Sequence, residues 1–101
     1  EVVRLEPDNF EANLDLGICY AQKGFYAEAE RAYAKAKALS PDDLLLTYNM
    51  GALYALWGRP REALVELRRA VVLGKVKVQG WLATDPMFDG LKGDLEFEAL
   101  L

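Results

Sequence analysis

The stretch Leu16-Gly17-Ile18-Cys19-Tyr20-Ala21, followed by Gly24, Ala29, Tyr33, Ala36 and Pro41, decides how this chain folds, because it returns 34 residues later. Gly17 comes back as Gly51, Tyr20 as Tyr54, Gly24 as Gly58, Ala29 as Ala63 and Ala36 as Ala70. The same step taken backwards carries Pro41 onto Pro7. Self-similarity at a fixed period marks a repeat architecture, built from units that bury their apolar faces against one another.

Working outward, each unit reads as a helical hairpin. Gly17 and Gly51 allow two helices to approach closely, and Ala29, Ala36, Ala63 and Ala70 do the same from the second helix. Tyr20 and Tyr54 fill the remaining volume. Gly24 and Gly58 are helix stops, since glycine takes the positive φ that ends a helix. The expected helices cover about 9–23, 26–39, 41–57 and 60–73. Pro7-Asp8-Asn9 supplies capping groups for the first, and Ser40-Pro41-Asp42-Asp43 reads as the start of the third, with Ser as N-cap and Pro in the first turn. Glu28, Glu30, Arg31, Lys35 and Lys37, and later Glu62, Glu66, Arg68 and Arg69, are expected on water-facing sides. Acidic residues come early and basic residues late in the second helix, which suits the helix dipole.

Period and residue types resemble the tetratricopeptide repeat (TPR) family. Leu16, Gly17, Tyr20, Ala29, Tyr33, Ala36 and Pro41 fit one repeat, and Gly51, Tyr54, Ala63, Leu67 and Ala70 fit a second. Asn13 and Tyr48 lie near the place where the family prefers Trp, and Lys75 stands where Pro would close the second repeat. The resemblance implies an all-α solenoid of two hairpins. Its expected parts are the tail of a preceding repeat (1–7), a first repeat (8–43), a second repeat (44–77) and a C-terminal capping segment (78–101). Met87, Phe88, Leu91, Leu95, Phe97 and Leu100 are the expected cap, because the last open face of a solenoid needs a cover. The phrase from Asp85 to Leu101 is similar to the tail that closes some bacterial arrays of this family. Helices are expected over about 76–83 and 94–100, with a turn or short helix near 87–91.

Composition narrows the function. The chain has 101 residues, 52% of them hydrophobic, and a net charge of −4, a balance that suits a packed domain and not a nucleic-acid surface, which needs a basic patch. No uninterrupted apolar run reaches membrane-spanning length, and the expected location is cytoplasmic. The opening residues Glu1 to Leu5 continue a helical pattern, so the sequence reads as cut from a longer array, a reading compatible with a leader further upstream. Cys19 is the lone cysteine, expected as a buried structural thiol.

Catalytic and metal chemistry find little to stand on. There is no histidine, and Ser40 is the only serine, so neither a Ser-His-Asp nor a Cys-His arrangement exists in this sequence. No set of Cys and His offers a zinc site. Asp85, Asp89, Gly90 and Glu96 fall on Ca²⁺-loop spacing, but Met87 fails the third ligand place, and Pro86 and Lys92 are ill-suited. Helix capping by Asp85 and Asp94 is the expected role of this segment. No enzyme activity, cofactor or metal is expected.

Tetratricopeptide arrays present the first helix of each hairpin to a concave groove that holds a peptide or a partner helix. Here the resemblance puts Glu11, Leu14, Ile18, Ala21, Leu45, Tyr48, Asn49, Ala52 and Ala55 in that groove. The two-carboxylate clamp of the chaperone-binding subfamily needs Lys and Asn, then Asn, then Lys and Arg. The matching places carry Leu14 and Ile18, Asn49, then Leu82 and Pro86, so only the central Asn is present. The expected partner is therefore an apolar protein segment and not an acidic C-terminal tail, nucleic acid or membrane interior. The second function class is self-assembly or scaffolding, in which exposed helix faces pair two copies of the chain or space the domains of a larger protein. The third helix sharpens the choice. From Leu44 to Trp57 it has no charged side chain, and a helix apolar all round is expected to be buried all round, either by packing, by a partner or by the chain's own Met87-Phe88 segment.

Overall fold

The computed structural model describes residues 9–101. The expected tail of a preceding repeat, 1–7, lies outside the described residues. Helix α1 spans Phe10–Gln22, α2 Tyr26–Leu39, α3 Leu44–Leu56, α4 Pro60–Gly74 and α5 Val76–Thr84. A 3₁₀ segment, Pro86–Leu91, and a short α6, Leu95–Glu98, follow. No strand occurs among the described residues. The fold is all-α, as the period implied. The chain divides into two compact units, one ending at Leu46 and the other running from Thr47 to Leu101.

In the first unit, Asn9 caps α1 by accepting from the Ala12 N–H at 2.8 Å. Gly24 then takes φ 81° and turns the chain. A methyl group at Gly17 would overlap ring carbons of Tyr33 on α2, so this glycine is the point of closest approach in the hairpin. Ala29, Ala32, Tyr33 and Ala36 are the buried face of α2. In the second unit Gly51 does the same work against Leu67 of α4, and Gly58 turns the chain at φ 74°. Pro60 opens α4 at a position where no N–H is needed.

Several expectations are corrected. Ser40 does not start α3. It ends α2, its N–H donating to the Ala36 carbonyl at 2.9 Å, and the following proline keeps it out of the helical region. Asp43 supplies the cap instead, accepting from the Leu46 N–H at 2.9 Å. Cys19 is exposed. It lies two residues beyond Gly17, about 200° around the helix from the face that meets Tyr33. Glu66 is buried, because it shares a line on α4 with the buried Ala63 and Ala70, and Arg69 approaches it at 3.4 Å. Glu30 and Lys37 are half-buried. Nor is α3 buried all round: Leu45 is 54% and Leu56 44% exposed.

At the joint after α4 the positive φ falls on a residue other than glycine. Gly74 closes the helix and Lys75 carries the turn at φ 50°. In the segment that follows, Phe88, Leu91 and Phe97 are buried, whereas Leu95 is 85% exposed. The last helix begins one residue later than expected and ends sooner. Asp94 is its N-cap, accepting from the N–H groups of Glu96 and Phe97. The chain then tightens into a turn, with the Leu100 N–H on the Phe97 carbonyl at 3.0 Å.

Candidate functional site

Tyr48, on the second turn of α3, meets the C-terminal segment through its ring and its hydroxyl. Its ring meets Trp81 edge-on at 5.0 Å between centroids and Phe88 edge-on at 5.5 Å. Its hydroxyl donates to Asp85 Oδ2 at 2.6 Å. The other oxygen of Asp85 accepts from the Met87 N–H at 3.0 Å and so caps the 3₁₀ segment. Phe88 in turn stacks on Phe97 at 6.1 Å. The end of the chain is tied down twice more. Arg68 of α4 pairs with Glu96, and Gln79 Nε2 donates to the Leu100 carbonyl at 3.0 Å. Asp89 pairs with Lys92 at 3.0 Å. Of the carboxylates that fell on Ca²⁺-loop spacing, Asp85 caps the 3₁₀ segment, Asp89 pairs with Lys92 and Glu96 pairs with Arg68 of α4.

The remaining expected groove residues divide by exposure. Leu14, Tyr48 and Ala52 are buried. Ile18, Ala21, Asn49 and Ala55 are half-buried, and Glu11 and Leu45 are exposed. Leu45, Asn49, Ala52 and Leu56 follow one line along α3, since three or four residues make one helical turn.

The first unit also carries a surface cleft of about 200 Å³. Asn13, Leu16 and Tyr20 of α1 line it, with Glu28, Arg31, Ala32 and Lys35 of α2. None of the expected groove residues belongs to it. The spacing of Asn13, Leu16 and Tyr20, one helix face over two turns, was the available signal. Glu28 and Arg31 approach to 3.8 Å on its border, both well exposed. Such a pair is worth little in water.

Two hydroxyls are electrostatically unusual. Burial pushes Tyr33 well above the ordinary tyrosine range, with the Cys19 charge adding to it. Tyr48 is raised too, first by burial and then by its hydrogen bond to Asp85 and the charge of that carboxylate. The folded state therefore keeps both protons above pH ~10, where unfolded tyrosine has lost them. Their contribution is fully present below that pH and is lost as pH rises towards the folded values. Each group adds a slope of about 1.4 kcal/mol per pH unit in that window. We expect urea midpoints to drop with pH only above about 10, and Tyr48→Phe to flatten the drop. An equally steep drop in Tyr48→Phe would remove Tyr48 as its cause.

Comparison with known proteins places the geometry. The family described as "Tetratricopeptide repeat" matches residues 10–43, the hairpin of α1 and α2 with its closing turn. A human protein, Superkiller complex protein 3, is 25% identical over 69 residues. The aligned part is 68% of this chain and 4% of that relative's length, so the chain spans only a small part of the protein it resembles. No helix among the described residues is long and apolar enough to cross a membrane.

Proposed function

We propose, from the premise that this chain belongs to the tetratricopeptide-repeat family through residues 10–43, that it is a non-catalytic module binding an apolar segment of a partner protein. Repeats of this family are generally protein-interaction modules. The observation that carries the proposal here is α3: thirteen residues with no charged side chain, on which Leu45 and Leu56 stay open to solvent. Apolar side chains held on a rigid helix bind without first paying to be ordered.

The first helix of each hairpin offers a face. In the first, these are Glu11 and Ile18, with Leu14 beneath. On α3 they are Leu45, Asn49 and Ala55, with Tyr48 and Ala52 beneath. With only Asn49 left of a carboxylate clamp, apolar contact and not a terminal carboxylate sets the specificity. The curated relative is named for a complex, which agrees with an assembly role, and a cytoplasmic setting fits the same reading.

A second reading, pairing between copies, is favoured by Val65 and Val72. They lie two turns apart on one line of α4 and are 53% and 73% exposed.

One experiment separates them. The full chain is panned against a random-peptide display library while its sedimentation is followed at rising concentration. Peptides with a shared apolar segment should be enriched, and Leu45→Asp or Ile18→Glu should weaken them at least tenfold (about 1.4 kcal/mol) with melting unchanged. No enrichment, or indifference to both substitutions, sinks the partner reading. A concentration-driven dimer abolished by Val72→Lys establishes the second reading.

A further inference from the structure

The contact at Tyr48 has the form of a bound peptide. Asp85 gives the tyrosine hydroxyl a carboxylate oxygen at 2.6 Å. Three residues later Phe88, fully buried, sets its ring against the same tyrosine at 5.5 Å. One polar anchor and one apolar anchor on a helix face is how short segments are recognised by helical scaffolds.

Phe88, Leu91 and Phe97 anchor this segment by burial, yet three features favour its release before the hairpin beneath it opens. The elements that carry it are a 3₁₀ segment of six residues and a helix of four, far below the roughly 12 residues at which a helix begins to hold itself. Their outer side is open, with Leu95 85% exposed and Lys92, Gly93 and Asp94 all exposed. Asp85 is only half-buried, so water takes over its hydrogen bond when the segment lifts. The α3–α4 hairpin, in contrast, is locked where Gly51 meets Leu67. A locally weak element laid over a stable one opens by itself, below the free energy of global unfolding.

We propose that Asp85–Phe88 is a built-in ligand of the α3 face, and that the external ligand of this face is a peptide of the same chemistry, a carboxylate followed three residues later by an aromatic ring. The proposal rests on the reading of α3 as a partner-binding helix. Being tethered, the built-in segment acts at an effective concentration on the order of millimolar, so it holds the face shut until such a peptide outcompetes it. The apparent affinity of the external peptide is lowered by the fraction of chains that are closed.

The test uses the full chain and, as probe, a labelled synthetic peptide with the sequence of residues 83–91, beside its scrambled form. Asp85→Asn keeps an acceptor for the Met87 N–H and removes the carboxylate facing Tyr48. It should bind the probe about tenfold more tightly than the parent chain, the size expected when a hydrogen bond to a charged group is lost from the closed state. Adding Tyr48→Phe should cancel most of that gain. Hydrogen exchange gives the second measurement. Amides 87–91 should exchange about tenfold faster in Asp85→Asn, and in both chains faster than those of α3 and α4. Equal probe affinity in parent and Asp85→Asn, or exchange at 87–91 that matches the hairpin's, overturns the proposal. The outcomes also part it from the reading beneath it. Probe binding that obeys these expectations, with no library peptide enriched, leaves the built-in ligand standing and removes the partner reading. Library peptides that ignore Tyr48→Phe and Asp85→Asn do the reverse.

Discussion

Tyr48→Glu should lower the stability of this domain by about 4 kcal/mol, a loss in the range seen when a buried charge is left without a partner. The position is 8% exposed, and two aromatic rings and a carboxylate close around it. A glutamate there loses both ring contacts and sets a second negative charge beside Asp85. Its folded pKa is raised by burial and by that neighbour, so the penalty is small below the unfolded carboxylate value of about 4.3 and grows as pH rises through the folded value. Urea unfolding at acid and neutral pH should therefore show the larger deficit at neutral pH. Tyr48→Phe keeps the packing and should cost only about 1.5 kcal/mol, the worth of one hydrogen bond to a charged group. If Tyr48→Glu melts like the parent, the C-terminal segment does not cover this residue in solution.

The second large effect is expected at Gly17. Alanine is the better helix former by about 1 kcal/mol, yet Gly17→Ala should destabilise by roughly 2–3 kcal/mol, the scale of overpacking a closed core. The added methyl would overlap the ring of Tyr33, which is 1% exposed and has no room to turn. Gly51→Ala should cost less, since it meets the branched end of Leu67 and not a rigid ring. Gly80→Ala reverses the sign. No atom lies within 4 Å of its added methyl, and it should stabilise α5 by about 1 kcal/mol. Thermal melts of the three single variants decide it. A Gly17→Ala chain as stable as its parent would mean that the hairpin is not closed at this point.

The hairpins were legible because their determinants are local and repeated. Gly17 and Gly51 stand one period apart and face the helix that the pattern assigned to them. Gly24 and Gly58 stop their helices with the positive φ that glycine permits. What was not legible came from choices that local chemistry leaves open. Ser40, Asp42 and Asp43 are all competent caps within four residues, and only the placement of α3 selects Asp43. Cys19 has apolar neighbours in sequence but lies on the wrong side of α1 from Gly17. Glu66 reads as part of a charged face until its line through Ala63 and Ala70 is followed. At the candidate site, the sequence offered Met87-Phe88 as a cover for the apolar helix, and Phe88 is the ring found against Tyr48. Asp85 gave no hint of its role there. Its link to Tyr48 spans 37 residues, and no periodicity reaches that far.

That span has a consequence for the order in which the molecule assembles. The contacts of Gly17 with Tyr33 and of Gly51 with Leu67 join residues 16 apart, so each hairpin closes a short loop at small entropic cost. The Tyr48–Asp85 bond closes a longer one, and its two aromatic partners have nothing to dock on until α3 and α4 have met. Contacts made late are absent from the rate-limiting state of folding. Weakening the Asp85 link should leave the folding rate nearly as it was and appear as faster unfolding. The C-terminal segment would then govern how long the native state persists, and the hairpins how quickly it is reached.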